Sequence, residues 1–150
     1  MSEKWDNYFM EVAKDTAALS KDPKTKVGAV ITEGKKMLSV GFNGAPSSFP
    51  DELVPTSEGE GLLNQKNTFM CHAELNAILN YRGQIKDLAG ATVYTTVSPC
   101  CNCVLAMAQV GIKKVVYLQE YHRSEIHNSA TYIMDKCGIK YQKFGENNED

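Results

Sequence analysis

Two short segments of the 150-residue sequence have the residue types and the spacing of a catalytic metal site. His72 and Glu74 form a His-x-Glu segment, and Cys100 and Cys103 form a Cys-x-x-Cys segment directly after Pro99. One histidine and two cysteines make three ligands, the number typical of catalytic zinc, because the fourth tetrahedral position then remains open to water. A gap of two residues lets the first turn of a helix present both sulfur atoms to one metal, and the helix N-terminus favours the thiolate forms. The sequence therefore predicts a catalytic zinc site on His72, Cys100 and Cys103.

Glu74 has the position expected of a proton carrier beside this metal. It lies two residues from His72, close enough to reach a water molecule at the zinc without itself being a ligand. Zinc lowers the pKa of bound water from about 15.7 to about 7, and a neighbouring carboxylate can accept the released proton and deliver it to the substrate. A non-ligand glutamate in His-x-Glu, together with Pro-Cys-x-x-Cys, is typical of zinc enzymes that deaminate nucleobases. The two segments together therefore predict a nucleobase deaminase.

The Cys-x-x-Cys segment has other interpretations when it is considered alone. A redox-active pair or half of a structural zinc site has the same spacing. The His-x-Glu segment favours the catalytic interpretation, because it adds a third ligand and an acid-base group. We predict that the other three cysteines, Cys71, Cys101 and Cys137, are small buried apolar residues. The other two histidines, His122 and His127, are predicted to be surface or supporting residues.

The composition and the charge limit the classes of protein to which the chain can belong. Hydrophobic residues make up 43% and charged residues 23%, as in an ordinary globular domain, and the net charge is −2. An acidic balance disfavours a long nucleic-acid partner, which requires clustered lysine and arginine. We find neither a membrane span nor a signal-peptide pattern, and we expect a cytoplasmic protein without a membrane partner. We predict one domain over residues 1–145 and a frayed acidic tail over residues 146–150.

Hydrophobic periodicity predicts the elements that position the metal-binding segments. An amphipathic helix over residues 5–19 precedes a β-hairpin over residues 27–42. Residues 44–68 lack periodicity, and loops of this length are usually functional or disordered. The remaining predicted elements are a helix over 71–81, a strand over 91–97, a helix over 100–110, a strand over 114–118, a helix over 124–136 and a strand over 139–144. This alternation predicts an α/β sandwich with parallel crossovers in its second half.

Beyond these segments, the sequence resembles the deoxycytidylate deaminase family, within the cytidine and deoxycytidylate deaminase superfamily, over nearly its whole length. The matching segments are Trp5-Asp6 with Tyr8-Phe9-Met10, Ser20-Lys21-Asp22-Pro23, Val27-Gly28-Ala29-Val30, Gly41-Phe42-Asn43-Gly44-Ala45-Pro46, Cys71-His72-Ala73-Glu74-Leu75-Asn76-Ala77-Ile78 and Tyr121-His122. The resemblance implies a cytidine deaminase-like fold, a three-layer α/β/α sandwich with a mixed five-stranded sheet. It also implies zinc-dependent hydrolysis of dCMP to dUMP and ammonia, which supplies dUMP for thymidylate synthesis. The implied assembly is a homohexamer that dCTP activates and dTTP inhibits.

The same resemblance implies roles for residues outside the metal-binding segments. Asn43, Ala73, Ser98 and Tyr121 are implied contacts to the nucleotide. The basic residues considered for phosphate or effector contacts are Lys21, Lys24, Lys26, His122 and Arg123.

Two departures from the family pattern bear on metals and effectors. Some relatives hold a second metal with additional cysteine or histidine in the long loop, whereas residues 44–68 contain neither, so we predict one zinc ion per subunit. Many relatives have a further glycine after the Gly-Phe-Asn-Gly-x-Pro segment, whereas this chain has Ser47-Ser48-Phe49, which leaves effector contacts in that loop open. Mg²⁺ would enter only together with nucleotide effectors.

Three other functions share part of the pattern. A tRNA adenosine deaminase has the zinc motif but must hold an anticodon stem-loop, and it should therefore be basic. A deaminase of single-stranded DNA needs stacking aromatic residues along a basic channel. A non-enzymatic zinc module would have a fourth protein ligand on the metal. The acidic balance and the free Glu74 favour the nucleotide deaminase over all three.

Overall fold

The computed structural model describes residues 2–121 and 123–146, which form a mixed five-stranded sheet with helices on both faces. The helices are α1 (Glu3–Ala17), α2 (Ala73–Asn80), α3 (Cys101–Gln109) and α4 (Ser124–Cys137), and the strands are β1 (Gly28–Glu33), β2 (Lys36–Phe42), β3 (Thr92–Val97), β4 (Lys114–Gln119) and β5 (Lys140–Lys143). The strand order is β2-β1-β3-β4-β5. Strand β1 pairs antiparallel with β2 and β3, whereas β3, β4 and β5 run parallel. The predicted α/β/α sandwich with a mixed sheet is confirmed.

Alternation of side chains along the strands builds one apolar core on each face of the sheet. On one face, Val30, Tyr94 and Val116 pack against Phe9 and Met10 of α1. The residues next to them on the same strands point to the opposite face, which α2, α3 and α4 cover. The three central strands are therefore buried on both sides. The carboxyl ends of β3 and β4 lie at the same edge of the sheet as the amino end of β1, and this edge with its adjoining loops provides the accessible surface where a ligand can bind.

Gly41 of β2 allows α2 to lie directly against the sheet. A Cβ atom at this position would lie 2.3 Å from the backbone nitrogen of Ala77 and 2.6 Å from the carbonyl oxygen of Ala73. Only a residue without a side chain permits this approach, because packed interiors leave no room for the extra atom. The approach matters for the site because Ala73 is the first residue of the helix that follows His72.

The segment between β2 and α2 is irregular over most of its length, as its lack of periodicity predicts. It contains three short 3₁₀ helices, Asp51–Leu53, Leu62–Asn64 and Lys66–Phe69. Its two ends are joined by a backbone bridge, in which Gly44 and Cys71 exchange hydrogen bonds. The segment therefore leaves the sheet and returns beside its starting point, immediately before His72.

Element boundaries differ from the predictions chiefly at the metal-binding segments. Periodicity predicted helices from residues 71 and 100, whereas α2 begins at Ala73 and α3 at Cys101. His72 and Cys100 have extended backbone conformations and directly precede the first helical turns. The first helix ends at Ala17 rather than at residue 19, and a short 3₁₀ helix that the sequence analysis did not predict covers Ile85–Leu88.

Residues 147–150 of the predicted acidic tail lie outside the described residues, as does His122. Within the described part of the chain, no helix combines the length and the apolar character needed to cross a membrane.

Candidate active site

The N-termini of α2 and α3 bring the three predicted metal ligands together. His72 Nδ1 lies 3.3 Å from Cys100 Sγ and 3.3 Å from Cys103 Sγ. Ligand atoms from the three residues all lie within 4.8 Å of one another. His72 and Cys100 each precede a helix, and Cys103 lies in the first turn of α3, so the two helices hold the cluster from either side. The segments are distant in the sequence, and packing of α2 and α3 on the same face of the sheet makes them neighbours.

The composition and spacing of this cluster fit zinc. One imidazole nitrogen and two sulfur atoms are borderline-soft donors of the kind that zinc prefers. A tetrahedral zinc ion with bonds of about 2.0–2.3 Å separates its ligand atoms by roughly 3.5–3.8 Å. The distances of 3.3 Å from His72 Nδ1 to the two sulfur atoms are close to that value. No fourth His, Cys, Asp or Glu of the described residues joins the group, as a catalytic rather than a structural site requires.

The two thiols of the cluster differ in their ease of ionisation. A hydrogen bond with Cys103 outweighs burial and, together with one from His72, lowers the pKa of the Cys100 thiol to about 4. The same interaction with Cys100, followed by burial, raises the pKa of Cys103. The hydrogen bond with Cys100 also raises the pKa of His72. Cys100 is therefore the thiol of the cluster that ionises more readily, and the thiolate is the form that binds a metal.

Glu74 lies in the first turn of α2, where its carboxyl group is almost fully buried. Its side chain belongs to the same cavity wall as His72 and Cys100, and the residue is 5% exposed. Burial disfavours the charged form and raises the pKa of Glu74 to about 7. A carboxyl group with this pKa can both accept and donate a proton near neutral pH, which is the property of a general acid-base group.

A cavity of about 530 Å³ opens beside the metal-binding cluster. Its wall contains all four of the predicted nucleotide contacts and two of the predicted basic residues; these are Asn43, Ala73, Ser98, Tyr121, Lys24 and Lys26. The volume is within the range of small-molecule sites and is sufficient for a nucleotide-sized ligand.

The Asn43 side chain is held by hydrogen bonds within the chain. Its Oδ1 accepts a hydrogen bond from the backbone N–H of Val27 at 2.8 Å, and its Nδ2 donates to the carbonyl oxygen of Thr25 at 2.8 Å. A longer bond of 3.4 Å runs from Nδ2 to Asp22 Oδ2. Both amide N–H groups are therefore engaged, and Oδ1 keeps one lone pair that can face a ligand. The observed contacts make Asn43 the organiser of the segment that carries Lys24 and Lys26.

Ser98 joins the end of β3 to the loop after β4. Its Oγ accepts a hydrogen bond from the backbone N–H of Tyr121 at 2.7 Å, and it lies 3.1 Å from His127 Nδ1. His127 in turn packs edge-on against Tyr117 and lies 3.8 Å from a carboxylate oxygen of Glu120. The supporting role predicted for His127 therefore has a structural basis, because this residue of α4 helps to fix the loop that carries Tyr121.

The predicted basic residues do not all reach the cavity. Lys24 and Lys26 belong to its wall, whereas Lys21 is exposed and forms an ion pair with Asp51 at 2.6 Å. Arg123 precedes α4 and is not part of that wall. His122 lies outside the described residues.

Two buried charged residues of the cavity wall were not identified as site residues from the sequence. Lys66 Nζ lies 2.9 Å from Asp22 Oδ1, and both side chains are nearly inaccessible. Asp22 lies within the Ser20-Lys21-Asp22-Pro23 segment, where its side chain bonds the following backbone N–H groups, which is a typical turn arrangement. Lys66 lies in the non-periodic segment, where the sequence carries no sign of burial. Their partnership depends on a contact between residues 44 positions apart.

The prediction that the remaining cysteines are buried apolar residues is wrong for Cys137 and only partly right for the other two. Cys137 is the last residue of α4 and is exposed, whereas Cys71 and Cys101 are partly accessible. Cys101 lies between the two cysteines of the cluster but is not a member of it, as predicted.

Comparison with known proteins agrees with this geometry. The family model of the cytidine and deoxycytidylate deaminase zinc-binding region matches residues 3–119. The match includes both metal-binding segments, Glu74 and most of the cavity wall. The chain therefore belongs to the cytidine and deoxycytidylate deaminase family.

Within this family, the chain is similar to curated deoxycytidylate deaminases. It is 37% identical to the deoxycytidylate deaminase of Mus musculus over 143 residues, covering 93% of this chain and 79% of the mouse protein. It is 36% identical to the deoxycytidylate deaminase of Homo sapiens over the same shares of the two chains.

Solved structures of related enzymes have the same fold as this chain, and one of them matches it over nearly its whole length. The dCMP deaminase of cyanophage S-TIM5, crystallised in complex with dCMP and dUMP, superimposes with a TM-score of 0.76 at 26% identity. The match covers 95% of this chain and 98% of the phage protein. A tRNA:A34 deaminase shares the fold alone, with a TM-score of 0.57 at 18% identity.

Proposed function

We propose that the chain is a dCMP deaminase, a hydrolase that converts dCMP and water to dUMP and ammonia. The observation that carries the proposal is one cavity whose wall contains His72 and Cys100 of the His-Cys-Cys cluster, a buried glutamate of raised pKa and three lysines. The similarity to deoxycytidylate deaminases, and to a phage enzyme crystallised with dCMP and dUMP, supports dCMP as the substrate.

We assign the metal ligands to His72, Cys100 and Cys103, with one zinc ion per subunit. Their donor atoms and spacing suit zinc, and the N-termini of α2 and α3 favour the thiolate forms. When bound there, zinc supplies a water molecule that is a nucleophile near neutral pH.

Glu74 carries the protons of the reaction. A carboxylate oxygen of Glu74 accepts a proton from the attacking water and delivers it to ring nitrogen N3 as oxygen bonds to C4. The same carboxyl group then takes the second proton of that oxygen and delivers it to the departing 4-amino group, so that ammonia leaves and the C4 carbonyl forms. The raised pKa of about 7 suits this alternation between accepting and donating at neutral pH.

The nucleotide contacts are proposed from the cavity wall. Ala73 and Ser98 line it close to the metal-binding residues in sequence, and Asn43 and Tyr121 line it on two other segments. Lys24 and Lys26 are the proposed phosphate contacts on this chain. Arg123 and Lys21 lie outside the wall, so that a role for them, or for His122, belongs to effector binding or to a neighbouring subunit.

The remaining proposals concern regulation and cellular context. We propose that the enzyme is a homohexamer, activated by dCTP and inhibited by dTTP, with Mg²⁺ accompanying these effectors. A single domain over residues 1–145 would carry the activity. Reduced thiolate ligands suit a cytoplasmic location, where the dUMP product would feed thymidylate synthesis.

Ammonia release from a substrate panel tests the proposal. The zinc-loaded protein is incubated with dCMP, CMP, deoxycytidine and an anticodon stem-loop RNA under the same conditions. We expect dCMP to be the best substrate, with kcat/KM about 10²- to 10⁴-fold above that of deoxycytidine, because a phosphate lost from the ligand removes two charge-assisted contacts. Equal efficiency on the two would instead identify a nucleoside deaminase, and activity on the RNA alone would identify a tRNA deaminase.

A further inference from the structure

Lys66 has an ammonium group buried in the wall of the cavity. It begins the last short 3₁₀ helix of the segment between β2 and α2, and its side chain is 7% exposed. Nζ forms an ion pair with Asp22 Oδ1 at 2.9 Å, and the Asp22 side chain is only 3% exposed. A buried lysine that lines a ligand cavity is unusual, because desolvation of an ammonium is costly unless its donors are satisfied.

The hydrogen bonds of this ammonium are incomplete within the protein. An ammonium has three N–H donors, and among residues 2–121 and 123–146 the Lys66 Nζ donates to Asp22 Oδ1 alone. Asp22 Oδ1 also accepts hydrogen bonds from the backbone N–H groups of Lys24 and Thr25, at 2.8 Å and 3.0 Å. Two donors of a buried cation therefore remain for acceptors that enter the cavity.

The position of Lys66 favours the phosphate over the base as that acceptor. The base must place C4 at the metal cluster and Glu74, whereas Lys66 is tied to the segment that carries Lys24 and Lys26. Three lysines therefore line one cavity, and a phosphate is the group of the proposed substrate that offers several charged acceptors. The same wall contains four acidic residues. Asp22 is paired with Lys66, Glu58 accepts hydrogen bonds from the backbone N–H of Asn67, Glu120 lies 3.8 Å from His127, and Glu74 lies beside the metal-binding cluster.

We propose that Lys66 determines specificity for a 5′-monophosphate, by donating hydrogen bonds to the phosphate while Asp22 holds its ammonium in place. This inference rests on the proposed function, because it assigns a residue to the phosphate of the proposed substrate. Asp22 acts here as a positioning residue, since its carboxylate binds both Lys66 and the backbone that carries Lys24.

The test compares matched ligands with and without the phosphate. Lys66→Met removes the donors but leaves Asp22 without its cationic partner, which by itself can disturb folding. The double variant Lys66→Met with Asp22→Asn removes both charges and keeps the shapes of the side chains. Lys14→Met is the control, because Lys14 is an exposed lysine of α1 that pairs with Glu11 outside the cavity.

We expect kcat/KM for dCMP to fall about 10- to 10²-fold in both Lys66 variants, the loss of one charge-assisted contact, while kcat/KM for deoxycytidine stays unchanged. The dissociation constant of dUMP, measured by calorimetry, should rise by a similar factor, and that of deoxyuridine should not. Lys14→Met should match the wild type in every assay.

Three results would overturn the assignment of Lys66. The first is an equal loss of kcat/KM for dCMP and for deoxycytidine, and the second is an unchanged affinity for dUMP. The third is recovery of the wild-type preference for dCMP over deoxycytidine in the double variant, which would mean that Lys66 only neutralises Asp22. A wild-type protein that does not deaminate dCMP would instead refute the proposed function, and the calorimetric comparison would still decide whether Lys66 binds phosphate.

Discussion

At the level of single residues, the environment of Glu74 explains why a glutamate can carry protons in both directions. An exposed glutamate has a pKa near 4.3 and is a weak acid-base catalyst at pH 7. Burial in the wall of the cavity raises the pKa of Glu74 to about 7. A carboxyl group with a pKa near the working pH is suited both to accept a proton and to donate one. The N-termini of α2 and α3 also hold His72, Cys100 and Cys103, so that the proposed acid-base group and the proposed metal ligands lie on the same two helices.

Replacing Glu74 with Gln should nearly abolish turnover while the protein keeps its zinc. The amide cannot accept the proton of the attacking water, and one acid-base group contributes about 10²- to 10⁴-fold, with a larger loss where it serves two transfers. The measurement is kcat for dCMP together with metal content. Glu120→Gln is the control, because Glu120 is another carboxylate of the same wall that is partly exposed, and it should retain activity within a few-fold. Substantial activity in Glu74→Gln would refute the role of Glu74.

Asp22 should contribute to stability in a manner that depends on acid pH. Burial raises the pKa of this carboxyl group, but hydrogen bonds from the backbone of Lys24 and Thr25 and the ion pair with Lys66 outweigh burial and lower it. A carboxyl group whose pKa is lower in the folded state stabilises the protein at pH values above its pKa in the unfolded state, which is about 3.9. This contribution is lost as the pH falls through the pKa of the folded state.

Urea unfolding of the wild type and Asp22→Asn between pH 7 and pH 3 measures this effect. The difference in the free energy of unfolding should be constant near neutral pH and should shrink below about pH 4. A difference that stays the same across the whole range would contradict the assigned shift of the Asp22 pKa.

At the level of elements, the contact between β2 and α2 sets the position of half of the metal site. Gly41→Ala should destabilise the protein by about 1–3 kcal/mol or more and lower kcat, because the new methyl group collides with the backbone of Ala73 and Ala77 and displaces α2. Thermal unfolding and dCMP kinetics measure the two effects. Gly44→Ala is the control, because a Cβ atom there has no neighbour within 4 Å. Equal behaviour of the two variants would mean that α2 has room to shift without consequence.

The same elements explain how far the sequence predicts the site. Ligand spacing within one helix turn predicted Cys100 and Cys103, and the His-x-Glu pair predicted His72 and Glu74, because these relationships are local; the structure brings His72, Cys100 and Cys103 together. Helix starts were predicted too early, because His72 and Cys100 have extended conformations, which hydrophobic periodicity does not report. Lys66 was missed because its burial follows from a long-range ion pair in a segment without a pattern.

At the level of the whole molecule, the proposed regulation by nucleotides has a thermodynamic signature. If dCTP binds the active conformation more tightly, dCMP must strengthen dCTP binding by the same factor. Sigmoidal dCMP kinetics should become hyperbolic with dCTP, and dTTP should restore or deepen the sigmoidal form. Initial rates over a range of dCMP concentrations measure this, with dATP as the control nucleotide. Many relatives have a further glycine where this chain has Ser47-Ser48-Phe49. Rates that respond to neither effector would show that this sequence difference accompanies a loss of regulation.

The two sides of the cavity differ in how firmly they are attached to the fold. One side consists of the ends of buried strands and of the helices that bear the metal ligands. The other side belongs to the segment between β2 and α2, whose Leu53, Leu62 and Leu63 are 61–77% exposed. Its interior contacts include the Phe49–Phe69 ring pair. A segment with so few apolar anchors should open locally at a lower free energy than the sheet.

Amide hydrogen exchange should therefore divide the molecule into a fast and a slow part. The backbone N–H groups of Gly59 and Lys66 bond only within the segment, to Asn64 and Ser57, and they should exchange faster than those of β3. Saturating dUMP should slow exchange in this segment while leaving β3 unaffected, because the ligand favours the closed form. Uniform protection across both parts would contradict this division. If the difference is found, nucleotides enter and leave by local opening of one flank of the cavity, while the central sheet behind the site stays folded.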